Sequence, residues 1–188
     1  ADTYIGNAGF GVFVQTGGQI WNNGEFDPGG GAPSAYGYYQ LSGGSLNVNN
    51  WLQPSRFGLG LFYQDNGAIA VTNFSYGLVL SDCGAGTGVL YQTGGTLSVP
   101  FAGLAWAAGA RGELTVAGSG QFLVNGNLRF NNGSGTSIVN LLGGVTRANQ
   151  LGETSAGGLS LLTFNGGKLQ ANTSGTLLGV SGQMLDAV

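Results

Sequence analysis

The sequence contains no histidine and only one cysteine among its 188 residues. Without histidine, the chain has no imidazole for acid–base catalysis near neutral pH or for metal binding. Without a second cysteine, no intrachain disulfide can form. Cys83 is then a free thiol or one half of an intermolecular bridge, and we favour a buried, inert thiol. The chain also has no Asp-rich calcium loop. We therefore expect neither a metal nor a cofactor.

Charge and long apolar runs are scarce as well. Five basic and eight acidic residues give a formal net charge of −3. Five scattered basic residues cannot form a phosphate-binding stripe, so we do not expect nucleic acid as a partner. No apolar run approaches the length of a membrane-spanning helix, and we expect no membrane span.

Glycine, in contrast, is abundant, with 39 residues. Disordered chains combine low hydrophobicity with high net charge, whereas this chain is 42% hydrophobic and 11% aromatic. The glycines do not follow the three-residue period of collagen. This composition is typical of turns in an ordered, β-rich protein.

A short phrase recurs along the chain. It reads VFVQTGGQI at 12–20, YYQLSGGSLNV at 38–48, FYQDNGAIAV at 62–71 and LYQTGGTLSV at 90–99. Each phrase contains a pair of small residues, and successive pairs are 23 to 28 residues apart. The seven pairs begin at Gly17, Gly43, Asn66, Gly94, Ser119, Gly143 and Gly166.

Apolar residues alternate with other residues after each pair. The first apolar position holds Ile20, Leu46, Ile69, Leu97, Phe122, Thr146 and Leu169, and the second holds Asn22, Val48, Val71, Val99, Val124, Ala148 and Ala171. A period of two indicates a strand with one buried face. Because one repeat cannot bury that face alone, the repeats must stack. We predict an all-β, single-stranded parallel β-helix (β-solenoid) with about seven coils of about 25 residues.

The glycines in these pairs suit sharp corners between flat faces. The glutamines that precede four of the pairs form either an amide ladder between coils or a solvated outer row. The residues concerned are Gln15, Gln40, Gln64 and Gln92.

The phrases resemble the autotransporter-associated β-strand repeats, also called passenger-associated transport repeats, of secreted or surface-sorted bacterial proteins. The stretch LLTFNGGKLQANTSGTL at 161–177 carries the resemblance most clearly, and the likeness extends from about Val12 to Leu178. It implies a right-handed β-helix, secretion to the cell surface, and a structural or adhesive role.

Many parallel β-helices act on polysaccharides through clustered carboxylates, so an enzyme must be considered. Measured from the small-residue pairs, Glu25, Asp65, Asp82 and Glu113 fall at different places around the coil. Only Glu25 and Asp27 are close in sequence. We expect these acids not to stack, and we predict no catalytic residue.

Aromatic residues could instead stack on sugars. Trp21, Trp51 and Trp106 also fall at different distances from the pairs, so we do not expect them to line one face. Filling of corners or burial of lateral contacts is the simpler interpretation, although a tyrosine-rich surface remains an alternative. Its members are Tyr36, Tyr38, Tyr39, Tyr63 and Tyr76.

We interpret residues 1–188 as one domain, with 1–11 and 179–188 as terminal strands or contact segments. Neither end contains an amphipathic capping helix, and uncapped solenoid ends favour stacking. The hypothesis is a non-enzymatic, secreted bacterial subunit that assembles head to tail with itself into an extracellular filament or surface layer. The alternative is a fragment of a surface adhesin or autotransporter passenger that binds cell-surface glycans or cells.

Overall fold

The computed structural model describes residues 1–131, 133–154, 157–173 and 177–178. These residues form strands and turns, and none of them lies in a helix. The strands are β1 Thr3–Tyr4, β2 Phe10–Gln15, β3 Gln19–Asn22, β4 Phe26–Asp27, β5 Tyr36–Leu41, β6 Ser45–Val48, β7 Leu59–Gln64, β8 Ala68–Val71, β9 Leu78–Ser81, β10 Thr87–Gln92, β11 Thr96–Val99, β12 Ala102–Ala105, β13 Arg111–Val116, β14 Gln121–Val124, β15 Leu128–Asn131, β16 Thr136–Leu141, β17 Val145–Ala148, β18 Leu151–Gly152, β19 Leu159–Phe164 and β20 Lys168–Ala171.

The strands form three parallel faces. The long sheet has the order β2-β5-β7-β10-β13-β16-β19, and the short sheet has the order β3-β6-β8-β11-β14-β17-β20. The third face runs from β1 and β4, through single bridges at Leu52, to β9, β12, β15 and β18. Each coil contributes one strand to the long sheet and one to the short sheet, which confirms the predicted β-solenoid of seven coils.

The first predicted apolar position forms one row of paired residues. Ile20 pairs with Leu46, and the pairing continues through Ile69, Leu97, Phe122 and Thr146 to Leu169. The middle members of this row are fully buried. The core therefore consists of stacked rows, in which each apolar side chain covers the one in the neighbouring coil.

The corner glycines have two separate functions. Gly44 and Gly95 have φ angles of 82° and 69°, a left-handed conformation that favours glycine. A Cβ atom on either residue would also collide with a carbonyl oxygen of the preceding coil, that of Gly18 and that of Gly67, respectively. Glycine is thus required for the turn and for the close approach of adjacent coils.

The predicted amide ladder forms between one pair of adjacent coils, the third and the fourth. Gln64 and Gln92 point inward, and the Gln92 amide donates a 3.1 Å hydrogen bond to the Gln64 side-chain oxygen. Gln40 is half-buried, because Leu41 takes the inward position of that row. Its amide contacts Ser42 and Asp65 instead.

The predicted contact segment 1–11 contains β1 and the first two residues of β2. The predicted segment 179–188 lies outside the described residues.

Candidate functional site

The N-terminal edge of the solenoid consists of β2 and β3, each of which pairs, among the described residues, with a strand on one side only. Two backbone carbonyls of the first coil accept hydrogen bonds from the second coil: Gly9 from Tyr36 and Gln15 from Ser42, both 2.8 Å. Because a strand in a parallel sheet uses alternate residues for each neighbour, the N–H groups of Val12 and Val14 point away from β5. The edge therefore offers donors and acceptors to a further strand.

Large apolar side chains lie open along this edge. Phe13 occupies the same inward row as Tyr39 and Phe62, but it is 39% exposed, whereas Phe62 is 1% exposed. The Phe13 and Tyr39 ring centroids are 5.6 Å apart. Phe10 and Trp21 are exposed on the outer surface of the same coil. The inner aromatic stack thus ends at an uncovered ring.

The corner of the first coil has unused space. A Cβ atom on Gly17 or Gly18 would meet nothing within 4 Å. At the equivalent Gly43 and Gly94, the same atom would approach the carbonyl oxygen of Thr16 or Asp65. The first coil therefore has the shape of an interior coil from which one neighbour is missing.

Two buried polar side chains inside the first coil form hydrogen bonds. The Gln15 amide donates to the carbonyls of Gly17 and Ser45, at 3.3 Å and 3.1 Å. The Asn22 amide donates to the Gly24 carbonyl at 2.8 Å, and its oxygen accepts from the Thr3 hydroxyl at 2.8 Å. These bonds satisfy buried polar groups, so the edge is ordered without a neighbour.

The opposite edge, formed by β19 and β20, also has a described neighbour on one side only. The inward residues Leu162 and Leu169 are half-buried, and Phe164 is exposed. The two edges therefore present strands of the same two lengths and apolar rows in the same positions.

Asp27 and Asp82 lie in different rows of the third face and so do not stack, but one arginine links three of the acids into an electrostatic cluster. Arg56 forms a 2.9 Å ion pair with Glu25, and its charge also acts on Asp27. Asp82 contributes to the same electrostatic environment from the next coil. Counting from the small-residue pairs missed this cluster, because the turns differ in length and the long Arg56 side chain reaches back across one coil.

Asp65 and Glu113 remain separate from this cluster, as expected. Asp65 accepts hydrogen bonds from Gln40 and Ser42, and Glu113 pairs with Arg111 at 3.1 Å.

Asp27 is fully buried, and neither of its carboxylate oxygens has a hydrogen-bond partner in the part of the chain that the structure describes. Burial raises the pKa of this carboxyl to about 8, and the Arg56 charge opposes the shift without cancelling it. Gly30 lies directly over the carboxylate, since a Cβ atom there would collide with Asp27. This side chain is therefore shielded from any substrate.

Cys83 is half-buried rather than fully buried. Its thiol donates a 3.5 Å hydrogen bond to Asp82, and burial is the main cause that raises its pKa. A thiol with a raised pKa contains little thiolate, so the environment disfavours reactivity.

Two of the tryptophans form a lateral contact, which is one of the two interpretations that we favoured. The ring centroids of Trp51 and Trp106 are 5.5 Å apart, and Tyr76 and Phe101 each lie 5.5 Å from Trp51. Trp51, Tyr76, Phe101 and Trp106, which we call the aromatic cluster, span three coils on the side of the solenoid. Small residues allow this contact, because the Trp106 ring lies over Gly103 and the Phe101 ring lies against Gly77.

Two other features bear on function. Within the described ranges, no group of three potential metal ligands is close enough to hold an ion. The described part of the chain also contains no helix with the length and hydropathy that a membrane crossing requires.

No protein-family model, curated protein or solved structure matches the sequence or the fold.

Proposed function

We propose that this protein is a non-enzymatic structural subunit that stacks head to tail into an extracellular filament or surface layer. The N-terminal edge carries the proposal, because its unpaired backbone, uncovered Phe13 and open space at Gly17 are features that a further coil would satisfy. The resemblance to secreted bacterial repeats supports placement outside the cell.

The pairing in such a stack would continue the register within one subunit. β19 of one copy would pair with β2 of the next, so that Leu162 covers Phe13 and Leu169 covers Ile20. The Val12 N–H would donate to the carbonyl of Ser160. Since this contact joins two different surfaces, it propagates unless the rotation between subunits closes a ring.

The third face is offset from the other two. β1 already extends it by one row beyond β2 and β3. In the last coil, the position on the third face that β1 of a further copy would occupy contains the single bridge between Leu151 and Leu178. Stacking would therefore replace this bridge with β1 of the incoming copy, a form of strand addition.

Electron microscopy of the purified protein tests the proposal, with Val12→Pro as the decisive variant. Proline removes a donor that the isolated subunit does not use, and edge strands tolerate proline at such a position. Val12→Thr is the matched control, because it keeps the N–H and the β-branched shape. We expect filaments from the native chain and from Val12→Thr, and single particles from Val12→Pro. Discrete particles from the native chain at all concentrations would contradict the proposal.

A further inference from the structure

We propose that a groove on the side of the solenoid binds acidic glycans, meaning oligosaccharides that carry carboxylate groups. The groove crosses the third to fifth coils and is lined mainly by Phe74, Phe101, Trp106, Asn125, Asn127 and Arg129. It lies away from both edges, so this binding function is additional to the proposed stacking and does not depend on it.

Two parallel rings stack with an offset in this groove. The planes of Phe101 and Trp106 differ by 2°, and their centroids are 6.0 Å apart. Trp51 holds both rings from the side, at interplanar angles of 78° and 76°. Phe74, at a neighbouring corner, is 80% exposed. Flat, half-exposed aromatic surfaces suit the C–H face of a pyranose ring, which packs against aromatic rings.

Polar groups stand beside this surface on the next coil. The side-chain amides of Asn125 and Asn127 make no hydrogen bond within the part of the chain that the structure describes. Amides can donate to and accept from sugar hydroxyls. A few polar groups beside apolar walls are the usual composition of a small-molecule site.

Charge selects an acidic ligand over a neutral one. Arg129 is exposed on β15, and the described ion pairs involve Arg56 and Arg111 instead. Within the described residues, Arg129 thus carries a positive charge without an ion-pair partner, in a chain of net charge −3. A guanidinium binds a carboxylate through two parallel hydrogen bonds.

The size of the groove agrees with this assignment. Its volume is about 470 Å³, within the range of about 300–1,000 Å³ that is typical of small-ligand sites. The groove is open along the surface, so a polymer could enter without a free end.

Calorimetric titration with tetragalacturonate, and with its fully methyl-esterified and therefore neutral counterpart, tests the proposal. We expect the acid to bind and to quench tryptophan fluorescence, and the ester to bind at least about tenfold more weakly, because it lacks charge-assisted hydrogen bonds. Absence of binding, or equal affinity for both sugars, would overturn the proposal.

Variants locate the binding. Arg129→Gln should weaken tetragalacturonate binding by roughly tenfold or more, and the exposed position of Phe74 makes Phe74→Ala a second change that preserves the fold. Arg111→Gln is the matched control, since it removes the same charge on another face. An equal loss in Arg111→Gln would show that binding is only general electrostatic attraction. The Val12→Pro variant should bind normally, which separates this test from the test of assembly.

Discussion

The first and fourth coils contain the same four residues at one corner, Gln15 to Gly18 and Gln92 to Gly95. Their backbones agree, with φ angles of 71° at Gly18 and 69° at Gly95. Their environments differ, because the fourth coil has a neighbour on each side and the first has one. Local sequence thus determines the corner, whereas stacking determines burial. The difference between the two coils is what a further subunit would supply.

The largest expected contrast concerns the inward aromatic row. Phe62→Ala removes a ring that contacts neighbours on both sides and should cost about 3–5 kcal/mol of unfolding free energy. Phe13→Ala removes the half-exposed ring at the end of the same row and should cost about 1 kcal/mol or less. Urea unfolding in the Val12→Pro background measures both on the isolated subunit. Equal costs would contradict the comparison.

The corner glycines give a second contrast. Gly94→Ala forces a Cβ atom against the Asp65 carbonyl and should destabilise the fold by about 2–3 kcal/mol. Gly17→Ala enters open space without a positive φ and should change stability by less than about 0.5 kcal/mol. Thermal unfolding in the Val12→Pro background checks both values.

In the otherwise native chain, however, Gly17→Ala should weaken filament assembly, because the added methyl group enters the space of the stacked coil. Ser34→Ala is a suitable control, since this exposed residue lies outside both strands of the edge. Normal filaments from Gly17→Ala would argue against stacking at this edge.

On the third face of the first coil, β1 already pairs with β4, and Asp27 of β4 makes the stability of this region depend on pH. Its folded-state pKa of about 8 exceeds the ordinary aspartate pKa of 3.8. The protonated carboxyl therefore contributes stability that is full below about pH 4 and is lost as the pH rises through 8. We expect a loss of about 1–2 kcal/mol by pH 9, less than the full shift implies, because local opening can hydrate the carboxylate. Asp27→Asn should remove this dependence in unfolding experiments between pH 5 and pH 9; an unchanged profile would contradict the assignment.

The sequence was sufficient to predict the repeats and the inner rows. The row from Ile20 to Leu169 pairs as predicted, including Thr146, which is buried in an apolar position. Period-two alternation and corner glycines are local signals, and local signals are sufficient for this part of the fold.

The side-chain clusters outside the core could not be predicted in the same way. The turns that lead to the third face differ in length, so distance from a small-residue pair does not give position around the coil. Arg56 reaches Glu25 across 31 residues, and Trp106 reaches Trp51 over Gly103. The first contact depends on the length of the arginine side chain. The second depends on a glycine beneath the ring, where a side chain would block the contact. The glycines beside the flanking aromatic residues, Gly77 and Gly103, were the available signal in the sequence.

The most direct test of head-to-tail stacking is the axial repeat of the filament, measured by cryo-electron microscopy of the native protein. Seven coils at about 4.8 Å per coil predict a subunit repeat of about 34 Å along the solenoid axis, with continuous strand spacing across the subunit boundary. Filaments in which the solenoid axes lie across the fibre, or in which β2 stays unpaired, would contradict the account.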